Sequence, residues 1–190
     1  MDIIEKSYKY SIPSANEFYE LFKEKYSKSA LPSWDNSAEW TKAMLDIFEE
    51  MGKSFGYRPE REYLGLDLTW AIRHEDMSVI SVAIEHENGD LKDVIDDELQ
   101  KLMDVKAYLK VLMFDPGVPI VSGKEILLPE IPEKISSSKI SLSKEEYLVI
   151  TPVLLKDKDK NPISISVSAC SFDQAGNRKE LPSFDVQYRR

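Results

Sequence analysis

The sequence predicts a mixed α/β (α+β) domain, on three observations. Two N-terminal stretches carry apolar residues at helical spacing. Two strand-composed runs joined by a short polar turn come next, then a helical stretch and an apolar strand. The last quarter alternates like three further strands. The chain of 190 residues suits one domain with a full core, and 42% hydrophobic with 10% aromatic residues indicates a folded protein. Within it we distinguish an N-terminal helical segment (1–34), a central core (35–115) and a β-rich C-terminal extension (116–190).

The first helix is expected over Ser14 to Tyr26. Ser14 with Glu17 three residues on forms a capping box, and Phe18, Leu21, Phe22 and Tyr26 make one stripe. Ala30-Leu31-Pro32-Ser33 breaks it. The second helix runs from Asn36 or Ser37 to Lys53, with Trp40, Ala43, Met44, Ile47, Phe48 and Met51 facing a core and Gly52 marking its end. Arg61–Arg73 and Ser78–Glu87 read as an antiparallel hairpin around the turn His74–Met77. Asn88-Gly89-Asp90 then caps a helix from Leu91 to Ala107, and Tyr108–Phe114 is a buried strand. Residues 116–140 are punctuated by prolines, with a short helix near Pro132–Ser138. Further strands are expected at 145–155, 162–172 and 180–188, separated by the turns Asp157–Asn161 and Asp173–Asn177.

The net charge of −9 hides an asymmetry. Residues 31–133 hold 22 acids against ten bases, whereas 134–190 hold seven acids against ten bases. An acidic chain does not hold nucleic acid by bulk charge, but it can gather carboxylates around a metal. The single Cys170 excludes an intramolecular disulfide and a thiolate zinc site. A charged N-terminus and the lack of a 20-residue apolar run predict a soluble cytoplasmic protein. Two histidines, His74 in a turn and His86 on the face opposite its neighbouring acids, make a nucleophilic triad a poor reading. Asp157-Lys158-Asp159-Lys160 resembles a calcium loop only superficially, because the central Gly and terminal Glu are missing.

The informative acids lie inside strands. Asp67 interrupts Leu64-Gly65-Leu66-Asp67-Leu68, where a carboxylate is poorly solvated, and Glu85 and Glu87 share one face of the next strand. A turn centred on Asp76 pairs residues whose numbers sum to 152, which sets Asp67 opposite Glu85 and Gly65 opposite Glu87. One face then holds Leu64, Leu66, Leu68, Trp70, Ile80, Val82 and Ile84. The other holds Tyr63, Gly65, Asp67, Thr69, Ser81, Ala83, Glu85 and Glu87. Converging carboxylates repel, and a divalent cation with oxygen ligands removes the conflict.

This order of elements, with Asp67 in the first strand and Glu85-His86-Glu87 in the second, resembles the PD-(D/E)XK (restriction endonuclease-like) nuclease superfamily over about residues 36–115, in a prokaryotic form with Glu-x-Glu for Glu-x-Lys. The resemblance implies a restriction endonuclease-like mixed sheet flanked by helices, with additional C-terminal antiparallel strands. It implies Mg²⁺ (or Mn²⁺) held by Asp67, Glu85 and Glu87, and hydrolysis of a DNA or RNA phosphodiester by metal-activated water. Leu66 rather than Pro precedes Asp67, and Glu87 stands where lysine is usual, as a ligand or as an aid to the attacking water. In other members the lysine comes from a neighbouring element, here Lys101 or Lys106. Glu98, inside the buried stripe of the following helix, either joins the site or pairs with a lysine. Glu39 is an extra site acid or a first-turn acid favoured by the helix dipole. Lys139, Lys156, Lys158, Lys160, Arg178 and Lys179 are the candidate nucleic-acid contacts. The alternative is a catalytically inactive version of the fold that serves as a protein-interaction module, binding a protein partner or a second copy through its C-terminal strands.

Overall fold

In the computed structural model, residues 11–74, 77–88, 94–115, 130–138 and 144–188 are described. Helix α1 (Ala15–Lys28) opens on the expected capping box, Ser14 and Glu17 each closing on the other's backbone. Helix α2 (Ser37–Ser54) starts at Asn36, whose side chain accepts the Glu39 N–H. Strands β1 (Arg58–Tyr63), β2 (Leu66–His74) and β3 (Met77–Asn88) come next. A π-helical turn, Val94–Glu98, then runs directly into helix α3 (Leu99–Asp104). Strand β4 (Ala107–Asp115), helix α4 (Glu130–Ser136) and strands β5 (Glu146–Lys156), β6 (Pro162–Asp173) and β7 (Arg178–Gln187) complete the described elements.

Among the described residues the seven strands form one sheet in chain order, β1 to β7. The pairs β3–β4 and β4–β5 are parallel and the others antiparallel. The residues assigned to a C-terminal extension therefore continue the sheet of the central core, through parallel pairs such as Val111–Leu148. Helices α1 and α2 cover one face, where Phe18, Phe22, Trp40 and Phe48 meet Leu68, Trp70, Val82 and Ile84. The other face packs Val94, Leu99 and Leu102 of the π-turn and α3, with Ile131 and Ile135 of α4, on Ala83, Leu112 and Val149. This is a three-layer α+β arrangement.

Aromatic rings fill the α1/α2 layer. Phe18 stacks on Trp70 at 5.2 Å, Phe22 on Phe48 at 5.4 Å, and Tyr57 on Trp70 at 5.8 Å. Gly52 lies inside α2, near its end. A Cβ there would come within 2.7 Å of the Trp70 indole nitrogen and 2.8 Å of the Pro59 ring, so the glycine lets α2 approach the sheet.

Three expectations change. The run Arg61–Arg73 is not one strand: it contains the β1–β2 hairpin, whose Tyr63–Leu66 pair closes a two-residue loop, Leu64-Gly65. Leu64 and Gly65 both have left-handed φ (57° and 78°), so Leu64 is an exposed tip and not part of an apolar sheet face. The expected register holds at Leu68–Ile84, Thr69–Ala83 and Trp70–Val82, then shifts at a bulge between Trp70 and Ala71, which pairs with Ile80. The extra residue reverses the alternation, and Ile80 packs with the α3 layer, as does Leu66 beside the hairpin turn. The third helix ends at Asp104 and Ala107 already belongs to β4. Its expected start at Leu91 and the cap at Asp90 lie outside the described residues, as does Lys139.

Candidate metal centre

Asp67 sits one residue before the first β2–β3 pair, Leu68–Ile84, and its Oδ2 accepts the backbone N–H of His86 at 2.8 Å. That bond ties Asp67 to the middle residue of Glu85-His86-Glu87. Along β3, Glu85 and Glu87 lie beside Leu112 and Phe114 of β4, on the α3 side of the sheet. His86 lies beside Met113 on the α1/α2 side. The expectation that His86 faces away from its neighbours therefore matches the structure.

Glu85 is 2% exposed, and its Oε1 meets no hydrogen-bond partner among the described residues. Burial pushes its carboxyl up to about 9, with the negative charges of Asp67 and Glu98 adding to the effect. Glu87 is half-buried and raised for the same first reason, burial, then by Glu98; its Oε2 accepts the Asn88 N–H at 3.1 Å. Glu98 is buried at the end of the π-turn. Such a turn admits an extra residue into the helix and re-aims the side chains beyond it, a device frequent at functional sites. Lys101, one turn on, donates to Glu98 Oε1 at 2.8 Å and Oε2 at 2.6 Å. That bond is the main reason the Lys101 ammonium is raised, and Glu85 and Asp67 add to it. Asp67, Glu85, Glu87, Glu98 and Lys101 thus form one electrostatic cluster, built from β2, β3 and the start of α3.

Other candidates stand apart. Lys106 is exposed just before β4. Glu39 stays in the exposed first turn of α2, its N–H held by Asn36. His86 is buried, burial lowers its imidazole to about 4, and neither ring nitrogen has a hydrogen-bond partner among the described residues. It is a neutral core side chain. The basic residues of the C-terminal strands do not gather in one patch. Lys156, Lys158 and Lys160 are exposed at the β5–β6 turn, toward which the parallel strands β3, β4 and β5 all run. Arg178 and Lys179 lie at the other end of β6, and Arg178 pairs with Glu180 at 2.9 Å. In the β5–β6 turn, Asp157 Oδ1 accepts the N–H groups of Asp159 and Asn161, so its carboxylate serves the turn itself.

A second charged cluster, which no local sequence pattern brought together, lies on the same sheet face. Lys110 Nζ donates to Glu145 Oε1 at 2.6 Å and to the Tyr147 hydroxyl at 3.2 Å, and both ion-pair partners are fully buried. The signal for it was a lysine in the middle of the apolar run Tyr108–Phe114.

As it stands, no set of three Asp, Glu, His or Cys side chains among the described residues forms a metal cage. The donor chemistry nevertheless suits Mg²⁺, which keeps several waters and takes one or two carboxylates plus phosphate oxygens. Glu85 supplies a buried carboxyl oxygen that has no hydrogen-bond partner among the described residues, next to Asp67. Compared with known proteins, the chain matches no family model and no curated protein. Among the described residues no helix is long and apolar enough to cross a membrane.

Proposed function

We propose that this protein is a Mg²⁺- or Mn²⁺-dependent nuclease with a restriction endonuclease-like core, a hydrolase of DNA or RNA phosphodiesters. One observation carries the reading. A buried carboxyl, Glu85, has one oxygen without a hydrogen-bond partner among the described residues, next to acids of its own sign, at the position that the PD-(D/E)XK resemblance assigns to a metal ligand. Support comes also from element order, since α2-β1-β2-β3-α3-β4 places antiparallel β1–β2–β3 beside parallel β4.

Asp67 and Glu85 would hold the cation, with Glu87 as third ligand or proton acceptor. A bound divalent cation supplies a low-pKa water and stabilises charge on the phosphodiester oxygen. Glu85 would be ionised when it held a cation, whose charge would offset the burial that raises the carboxyl. Lys101 cannot act as a general base near neutral pH, because its pairing with Glu98 holds it charged. Its part is electrostatic: the ammonium holds Glu98 and offsets part of the cluster's negative charge. Glu87, half-buried and raised, is the better proton acceptor.

The test is cleavage of plasmid DNA and of RNA in Mn²⁺ by the wild type and Asp67→Ala. Losing several kcal/mol of transition-state stabilisation predicts a fall of about 10³-fold or more. Equal cleavage by both proteins would remove Asp67 from the site. The second reading, an inactive scaffold that binds protein, draws on Glu87 in the lysine place and on Lys101 already engaged by Glu98. Absence of cleavage and of bound Mn²⁺ in the wild type would favour it.

A further inference from the structure

The tip of the β1–β2 hairpin has a geometry that its residues do not favour. Leu64 and Gly65 both adopt left-handed φ, and so does Glu62 at 53°. Two-residue loops of this kind prefer Asn or Gly at the first position, because a side chain there crowds the backbone. Leu64 meets that strain and also exposes 66% of its surface, more than any other large hydrophobic residue among those described. Packing does not call for it. Tyr63 and Leu66, paired across the turn, make the contacts with the α3 layer, and a Cβ built on Gly65 would meet open space. Strain held without a packing return points to a role other than stability.

The tip lies three residues before Asp67, which limits the separation of the two Cα atoms to about 11 Å. Among the described residues, its surroundings offer little free positive charge. Arg61 of the same hairpin is engaged by Asp46 and Glu49, and Lys101 by Glu98. A polyanion reaching the acids is therefore gripped weakly by charge. An apolar side chain wedged against a base face provides a grip that does not depend on charge, and the unstacking it requires costs least where the base is unpaired or mismatched.

We propose, on the nuclease reading above, that Leu64 is an apolar wedge against an unpaired base beside the scissile phosphate. The substrate class is then nucleic acid with unstacked bases at the cut: a single strand or a mismatched site, and not regular duplex. Leu64→Asn tests this, because asparagine suits the turn and the variant should keep or raise the melting temperature. Three oligonucleotides carrying 2-aminopurine at the cut region are compared in Mn²⁺: single-stranded, mismatched duplex and matched duplex. Wild type should cleave the first two at least ~10-fold faster than the third, and Leu64→Asn should lose about that factor on the first two only. Equal rates for both proteins on all three would overturn the wedge and leave the nuclease reading standing. If wild type cleaves none, that reading has failed. A Leu64-dependent rise in 2-aminopurine fluorescence would then still support the base contact, and no rise would overturn it.

Discussion

Two charged clusters are buried on the same face of this sheet, and they are built on opposite principles. Around Lys110 the charges balance. The ammonium donates to Glu145 and to Tyr147, reaches the Met103 carbonyl at 3.5 Å, and the Tyr147 hydroxyl donates to the same Glu145 oxygen at 2.5 Å. Around Asp67, among the described residues, four carboxyl groups face one ammonium, Lys101, which is about half exposed at the rim. The first cluster is complete as folded. In the second, burial pushes the Glu85 carboxyl up to about 9, and its Oε1 has no hydrogen-bond partner among the described residues. Burial of charge alone is thus no mark of function; burial without balance is the feature on which the proposed metal site rests.

The largest expected effect comes from unbalancing the balanced cluster. Lys110→Met strands a buried carboxylate and should cost about 3–5 kcal/mol in urea unfolding, most of it recovered by adding Glu145→Leu. Glu85→Gln should leave the metal-free protein as stable as wild type or more so. If Lys110→Met proves the milder change, the contrast is lost.

Metal addition sharpens the contrast next. Mn²⁺ at 100 times its dissociation constant should stabilise wild type by about 2.7 kcal/mol and leave Glu85→Gln unmoved. Equal shifts in thermal unfolding would place the ion elsewhere.

A pH series ranks third. The folded-state Glu85 pKa of about 9 lies above its ordinary 4.5, so between those values the folded state binds more protons than the unfolded one. Metal-free stability should therefore fall as pH rises through this window, by at most ~1.4 kcal/mol per unit from this group. The difference between wild type and Glu85→Gln isolates it from carboxylates of opposite sign such as Asp46, held down chiefly by Lys42. A difference that does not change with pH would mean Glu85 is not protonated in the fold. The smallest effect is that of Glu98→Gln, under ~1 kcal/mol in stability because Lys101 is half exposed. Its sharper readout is a lower Glu85 pKa, measurable by carboxyl NMR titration.

The acids of the site were readable because they break local rules. A carboxylate between leucines in a strand and a Glu-x-Glu closing the next one need an explanation, and counting residues around the distal turn already brought them together. The core stripes of α1 and α2 were equally plain. The features that escaped notice depend on geometry that composition does not signal. A leucine in the left-handed region concealed the β1–β2 turn, so two strands read as one. A single-residue bulge moved Ile80 to the opposite layer, and no residue type announces it. Glu98 fell on the helical stripe by counting, but the π-turn that delivers it is not visible in periodicity. The Lys110–Glu145 pair joins residues 35 positions apart, beyond the reach of any local pattern.

The strand order has a bearing on how the chain is made. Since the sheet runs β1 to β7 as the chain does, each strand can dock on a neighbour that has already left the ribosome, and none waits for a partner made later. All five members of the acid cluster lie within the first 101 residues, while the Lys110 cluster needs Glu145 and Tyr147. During synthesis the repelling acids are therefore gathered before the neutralised pair can help to hold the sheet. On the metal reading, a cation captured at that stage would also offset the repulsion among these acids while the rest of the sheet forms.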